Sequence, residues 1–180
     1  MRAQHLAVVG ALAATLAGCA SRQEETPRRP APPVIASPLP APPIPAARVY
    51  FNQSAYNDLF VARASEMALA KSRDARVRGL AEVLLRDHRG LAAQLSFAGR
   101  RLDLLPSAQI HPAARIPLSQ LQAATGRQFD EAYLALMRSN HQHSVGVHRG
   151  FARGGESPTL RAVARNAAEI EQRHLIAVSR

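Results

Sequence analysis

The sequence predicts an all-α protein organised as a four-helix bundle, and two observations support this fold class. Beyond about residue 50, apolar side chains recur with a helical period, and no stretch shows the strict alternation typical of a strand. Hydrophobic residues make up 47% of the chain and aromatic residues only 4%, so alanine and leucine must form most of the core. This composition favours helices over sheets. Four amphipathic helices bury their apolar faces efficiently as a bundle.

Four long helices are expected at about 53–72, 74–99, 128–152 and 157–178. The connection between the second and third helices contains Pro106, Pro112 and Pro117 and is long. A short extra helix is expected within it, from Pro117 to Gly126, because proline favours the first helical position and glycine follows the last. The fourth helix begins in the same way, with Ser157 as the N-cap and proline after it.

The first nineteen residues have the features of an export signal. A positively charged start is followed by an apolar run from Leu6 to Leu16, which is too short to span a bilayer as a permanent helix. The segment ends in Leu-Ala-Gly-Cys, and Cys19 is the single cysteine of the chain. This ending resembles the lipobox of bacterial lipoproteins, which implies lipidation of Cys19 and membrane attachment. Because no aspartate follows Cys19, we expect the outer membrane, with the protein facing the periplasm. An ordinary secretory signal is the alternative.

The segment that follows the signal, residues 20–49, is expected to be a disordered tether. Prolines recur throughout it, and proline both removes a backbone donor and blocks helix formation. An extended spacer of the polyproline type is the expected conformation. The predicted organisation is therefore a signal peptide over 1–19, a proline-rich tether over 20–49 and a helical bundle domain over 50–180.

The net charge indicates which partners to expect, and the cysteine count excludes two kinds of site. The formal net charge is +10, and Lys71 is the only lysine, so arginine carries nearly all of the positive charge. Anionic envelope lipids or a negatively charged polymer are possible partners of such a surface. Nucleic acid is not expected as a partner, because no nucleic-acid-binding motif is present. A single cysteine excludes an internal disulfide framework and a cysteine-rich zinc site.

One ionisable side chain falls at the centre of the apolar face of each long helix when the helices are wound at about 100° per residue. These side chains are Glu66, His88, His141 and His174. A buried polar group without a partner costs about 1–3 kcal/mol. We therefore expect the four groups to face one another inside the bundle.

Four stretches of the chain resemble the ferritin-like domain-of-unknown-function family 4142. They lie at residues 64–71, 77–95, 126–145 and 160–175. The Asp87-His88 pair, the Gly-x-x-Phe-Asp-x-x-Tyr-Leu run that begins at Gly126 and the two later histidines fall in the order expected for the family. The resemblance implies a ferritin-like bundle exported to the cell envelope. It implies no known activity.

Two interpretations of the inward groups remain open. In the first, they form a polar network in the core of a lipid-anchored envelope protein with a structural or interaction role. In the second, the protein is a periplasmic ferritin-like metal-binding protein, with a mononuclear or a degenerate di-metal site. The spacing Glu171-x-x-His174 occurs in di-iron bundles, but this chain has more histidines and fewer carboxylates near the core than such sites. A single ion is therefore the better match.

The candidate metal ligands form one set, with a residue from every long helix. They are Glu66, His88, His141, Glu171 and His174. No residue is assigned a catalytic role, because the lone cysteine is the lipidation site and no Gly-x-Ser-x-Gly motif is present. A non-enzymatic role is the expectation.

Overall fold

A computed structural model describes residues 45–180, which form five α-helices and one short 3₁₀ turn. The helices are α1 (Pro45–Lys71), α2 (Ala75–Arg100), α3 (Arg115–Ala123), α4 (Gly126–Gly154) and α5 (Pro158–Val178), and the 3₁₀ turn (Pro112–Ala114) precedes α3. The described part of the chain contains no strand. The all-α bundle and the short extra helix in the connection before the third long helix are thus confirmed.

Two helical hairpins make up the bundle, and side-chain caps fix where their second helices begin. Asp74 is the N-cap of α2, and its side chain accepts hydrogen bonds from the backbone N–H groups of Arg76 and Val77. Ser157 is the N-cap of α5, as the sequence predicts, and accepts from the N–H of Leu160. Because these caps satisfy N–H groups that have no partner within the helix, they stabilise the turns that join α1 to α2 and α4 to α5.

The two hairpins pack so that every long helix has two antiparallel neighbours. Tyr50 lies beside His148 and Ser65 beside Tyr133, so α1 and α4 run in opposite directions. Likewise, α2 and α5 are antiparallel, since residue 87 contacts residue 174 and residue 94 contacts residue 166. Helices α2 and α4 therefore point the same way, and the connection between them must run the length of the bundle.

Two apolar cores fill the bundle, one at each end. The first contains Phe129, Tyr133, Met137, Leu84 and Val61 and includes Leu118 and Leu121 of α3. The second contains Tyr50, Phe51, Leu95, Leu160 and Leu104, which lies in the connection. Between them lies a set of buried polar side chains, called the polar layer here. It consists of Asp58, His88, His141, Ser144, His148, Glu171 and His174.

Helix α1 differs from the sequence prediction in its start and in its buried face. It begins at Pro45, so residues 45–49 of the predicted tether are helical, and proline is compatible with the first turn of a helix. Its buried face includes Ser54, Asp58, Val61 and Ser65, instead of the face centred on Glu66. The predicted signal peptide with Cys19, and the tether as far as residue 44, lie outside the described residues. Within residues 45–180, no helix is both long and apolar enough to cross a membrane.

The C-terminal end of α2 provides a test of the packing in the second core. A Cβ atom added at Gly99 would lie 2.6 Å from the carbonyl oxygen of Leu104 and 2.6 Å from the ring of Phe51. Because these neighbours are backbone and a buried ring, we expect Gly99→Ala to lower the free energy of unfolding by about 1–3 kcal/mol. Urea denaturation of the purified variants would measure this.

The matched control is Gly90→Ala in the same helix. A Cβ atom there would have no neighbour within 4 Å. Alanine is the better helix former, so this variant should be more stable than the parent by up to about 1 kcal/mol. Equal effects at Gly90 and Gly99 would contradict the close approach of α2 to Phe51.

Candidate metal centre

Three histidines from three helices converge at the middle of the polar layer. His88 comes from α2, His141 from α4 and His174 from α5, and each is at most 3% exposed. The distances between ring centroids are 5.5 Å for His88–His141, 5.3 Å for His88–His174 and 5.2 Å for His141–His174. The three rings therefore form a nearly equilateral triangle inside the bundle.

One nitrogen of each imidazole is hydrogen-bonded to a carboxylate. The distances are 2.9 Å from Nδ1 of His88 to Oδ1 of Asp58, 2.5 Å from Nδ1 of His141 to Oε2 of Glu171, and 3.0 Å from Nε2 of His174 to Oδ2 of Asp87. Carboxylates in this position fix the orientation of a ring and make its other nitrogen a better electron-pair donor.

The second nitrogen of each ring is buried and unpaired. Nε2 of His88, Nε2 of His141 and Nδ1 of His174 have no hydrogen-bond partner among the described residues. Together with Glu171, the histidines each offer one ligand atom, and these four atoms all lie within 4.8 Å of one another. Two ligands at about 2.1 Å from one ion are about 3.4 Å apart in a tetrahedral site and about 3.0 Å apart as cis neighbours in an octahedral site, so binding needs the ligand atoms to close by up to about 1–2 Å.

Glu171 is the carboxylate at the centre of the layer, and several groups surround it. Its Oε1 accepts hydrogen bonds from Nδ2 of Asn57 and from Oγ of Ser144, each at 2.8 Å. The same Oε1 lies 3.9 Å from Nε2 of His88 and 3.7 Å from Nε2 of His148. Three of the four long helices thus stabilise a carboxylate carried by the fourth.

A tyrosine extends the polar layer toward the second core. The Tyr50 hydroxyl and Nδ1 of His148 are 2.9 Å apart and share a hydrogen bond. The ring of Tyr50 stacks on Phe151, with centroids 4.0 Å apart. Tyr50 therefore holds the His148 ring with its Nε2 toward Glu171.

The two buried acids, Asp58 and Glu171, have pKa values that are shifted in opposite directions. Burial, reinforced by the nearby Glu171 charge, raises the pKa of Asp58 well above its usual range. Burial alone would also raise the pKa of Glu171, but the hydrogen bond to His141 and the proximity of His148 hold it far below its usual range. Glu171 is therefore the ionised acid at the centre of the layer.

Two of the three histidines have lowered pKa values. Burial is the cause for His88. It also lowers the pKa of His174 to about 4, although the hydrogen bond to Asp87 opposes this shift. These two rings are thus neutral at physiological pH, the state in which an imidazole nitrogen can bind a metal.

Four of the five predicted ligands meet, and Glu66 does not join them. His88, His141, Glu171 and His174 form the cluster. The Glu66 side chain remains 36% exposed and forms ion pairs at 3.1 Å with Arg63 and with Arg89. Helix α1 is only weakly amphipathic, because serines and an aspartate interrupt its buried face, and the sequence pattern therefore gives the wrong face.

The contribution of α1 to the layer instead comes from Asp58 and Asn57, which the sequence prediction missed. Asp58 shares one face of the helix with four other buried residues, which follow one another at intervals of three or four: Tyr50, Ser54, Val61 and Ser65. That pattern was available in the sequence. Asn140 adds to the network by donating to Oδ1 of Asn57 at 2.8 Å.

Comparison with family models gives a match to the domain of unknown function DUF4142 over residues 36–180. The chain belongs to this family. This result confirms the resemblance seen in the sequence. Comparison with curated proteins gives no significant match.

Two solved structures share the fold of this DUF4142 chain. A DUF305 fragment from Deinococcus radiodurans superimposes with a TM-score of 0.68 at 17% identity, covering 77% of this chain and 95% of the fragment. A candidate secreted DUF305 protein from Streptomyces coelicolor gives 0.61 at 16% identity, covering 74% of this chain and 87% of the other. At these identities the similarity concerns the fold.

The neutral state of buried His174 predicts a pH dependence of stability in the metal-free protein. The folded pKa is about 4, whereas an unfolded histidine has an ordinary value near 6.5. Between these values the unfolded chain binds more protons than the folded chain, so this contribution to stability is complete above pH 6.5 and is lost as the pH falls from 6.5 to 4.

The His174→Gln variant tests this contribution. Urea denaturation with a chelator at several pH values should give a smaller decrease in unfolding free energy between pH 6.5 and 4 for the variant than for the parent. Parallel curves for the two proteins would mean that His174 titrates alike in both states.

Proposed function

We propose that this DUF4142 protein is an exported helical bundle that binds one divalent transition-metal ion at His88, His141 and His174. The observation that supports this function best is a cluster of three buried imidazoles, each with one unpaired nitrogen, whose ring centroids are 5.2–5.5 Å apart. Glu171, which lies within 4.8 Å of them, supplies a negative charge and a fourth candidate ligand.

A purely structural network explains the layer less well. Buried polar atoms in folded proteins nearly always have partners, and each unpaired atom costs about 1–3 kcal/mol. The hydrogen bonds that Asn57 and Ser144 make to Glu171 fit a structural role. The unpaired nitrogens do not, because they concentrate that cost at one place, and a metal ion would remove it for all three.

The donor set favours particular ions. Imidazole nitrogens suit zinc, copper, iron and nickel, whereas calcium and magnesium prefer oxygen ligands. The carboxylate of Asp87 would then act on the ion through the His174 ring that it orients. A site with three histidines retains at least one coordination position for another ligand.

Export to the cell envelope, with lipidation at Cys19, is part of this proposal. The charged start, the short apolar run and the cysteine ending of residues 1–19 support it. The structural neighbour from Streptomyces coelicolor is itself a candidate secreted protein. The arginine-rich composition is compatible with contact to anionic envelope lipids or polymers, as the net charge of +10 indicates.

Metal content and site variants test the metal proposal. Elemental analysis of protein purified without a histidine tag should give about one first-row transition metal per chain. His88→Ala and His141→Ala should each remove stoichiometric binding, because each deletes one of three imidazole ligands. Circular dichroism would show whether the variants retain the helical fold.

The matched control for these variants is His143→Ala. His143 is exposed and lies on α4 only two residues after His141. Its removal should leave metal content and affinity unchanged. A folded parent protein that takes up no zinc, copper, iron or nickel at micromolar concentrations would exclude the proposed site.

The carboxylate behind His174 gives a graded test of the same site. Asp87→Asn leaves a side chain of similar size but removes the charge that orients the ring, so we expect metal affinity to fall about 10–100-fold. Competition with a chromogenic chelator would measure it. Glu82→Gln, at an exposed position on the same helix, should leave the affinity as in the parent.

Lipid attachment is tested separately by Cys19→Ser. If Cys19 carries the lipid, the parent should sediment with membranes, and the variant should move to the soluble fraction or remain uncleaved. Immunoblots of fractionated cells would follow both proteins. Equal partition of the two would favour an ordinary secretory signal.

A further inference from the structure

A cavity of about 400 Å³ lies between α1 and α4 and is partly covered by the connection at residues 111–117. We call it the α1–α4 cavity. Its volume is within the range of sites that bind small organic molecules. Two of the residues that line it, Asn57 and Ser144, are those that donate hydrogen bonds to Glu171. The cavity therefore reaches the candidate metal centre through one layer of side chains.

The lining determines the chemistry of a ligand that the cavity would accept. Part of the lining is apolar and ring-bearing, with Phe60, Pro117 and the rings of Tyr56 and His111, whose centroids are 4.9 Å apart. The lining also carries amides and hydroxyls, including the amides of Asn57 and Asn140. Aromatic rings favour a flat apolar ligand face, and neutral amides and hydroxyls favour hydroxyl or carbonyl groups.

The lining of the α1–α4 cavity has no permanently charged side chain, in a chain that is otherwise rich in arginine. None of its residues is Arg, Lys, Asp or Glu, and its ionisable members are His111, His143 and His148. By contrast, the cavity between α1 and α2 is lined by Asp58, Arg63, Glu66 and Arg89. A charged ligand in the α1–α4 cavity would lose hydration without gaining a permanent counter-charge, so a neutral ligand is favoured.

We propose that the α1–α4 cavity binds a small uncharged ring compound with hydroxyl or carbonyl groups, and that its binding is coupled to the metal centre through the side chains between them. The second part rests on the proposed function. The connection between them is Oε1 of Glu171, which accepts hydrogen bonds from the cavity-lining Asn57 and lies 3.9 Å from the unpaired Nε2 of His88.

Phenol is a suitable probe, with benzoate and benzylamine as charged analogues of similar shape. Amide NMR titrations of the whole chain, both metal-free and zinc-loaded, should show phenol binding with a Kd on the order of 1 mM, as expected for so small a ligand. The shifts should include the side-chain amides of Asn57 and Asn140. Both charged analogues should bind at least about tenfold more weakly, a difference of about 1.4 kcal/mol.

Two matched substitutions locate the site. Ala114→Phe fills the α1–α4 cavity, and Ala92→Phe places the same ring in the cavity between α1 and α2. We expect the first to weaken phenol binding at least tenfold and the second to leave it unchanged. Asn140→Leu removes one of the amides that line the cavity and should also weaken phenol binding. It provides a second test if Ala114→Phe does not fold.

The visible absorption spectrum of cobalt-loaded protein would measure the coupling to the metal, because this spectrum responds to the ligands of the cobalt ion. Phenol should change this spectrum in the parent, and Asn57→Leu should reduce the change. The absence of NMR shifts at phenol concentrations up to about 10 mM would overturn the proposed ligand class. Tighter binding of a charged analogue would overturn it as well. Phenol binding with an unaltered cobalt spectrum would overturn the coupling to the metal centre.

The two proposals fail in different ways. If the chain holds no metal, elemental analysis shows it, and the titrations of metal-free protein still decide the ligand class. If the metal binds but phenol does not, the metal centre stands and the cavity proposal is rejected.

Discussion

An ionised carboxylate at the centre of a helical bundle is the constraint on which the rest of this structure depends. Removing a charge from water costs several kcal/mol unless other groups compensate for it. Glu171 is fully buried, and its two oxygens accept hydrogen bonds from Asn57, His141 and Ser144. Because these groups come from α1 and α4, a change in the register of either helix against α5 would leave the charge uncompensated. The polar layer therefore specifies the packing as well as the site.

The same constraint explains the division of the bundle into two apolar cores. Leucine, alanine and a few aromatic rings fill both ends, where close packing requires no partners. The buried Asp, Glu and His side chains, which come from all four long helices, lie in the middle, where they can reach one another. Long helices hold such a layer rigidly, since each is anchored by an apolar core on both sides. The helices consequently determine which rings meet and how they are oriented, and a bound ion would need the ligand atoms to close by only about 1–2 Å.

The surroundings of the layer differ from side to side. One nitrogen of each of the three imidazoles pairs with an Asp or Glu side chain, and the other has no partner among the described residues. On one side, Asn57 and Ser144 connect Glu171 to an uncharged cavity beneath the long connection. On another side, the cavity between α1 and α2 contains the ion pairs of Glu66 with Arg63 and Arg89. A bundle whose core is sealed at both ends thus has chemically different surroundings on its two flanks.

The pattern of residues along the chain was enough to predict the fold class, the approximate helices and the convergence of most candidate ligands. Apolar periodicity predicts a helix from its own residues, and in the strongly amphipathic α2, α4 and α5 it put His88, His141, Glu171 and His174 on the inward faces, where they form one cluster. The contribution of α1 could be read only from the packed helices. Its buried face mixes small, polar and apolar residues, so periodicity alone did not distinguish Asp58 from Glu66. Which nitrogen of each ring is paired was likewise undecidable from the sequence, because it depends on contacts between helices that lie far apart in the chain.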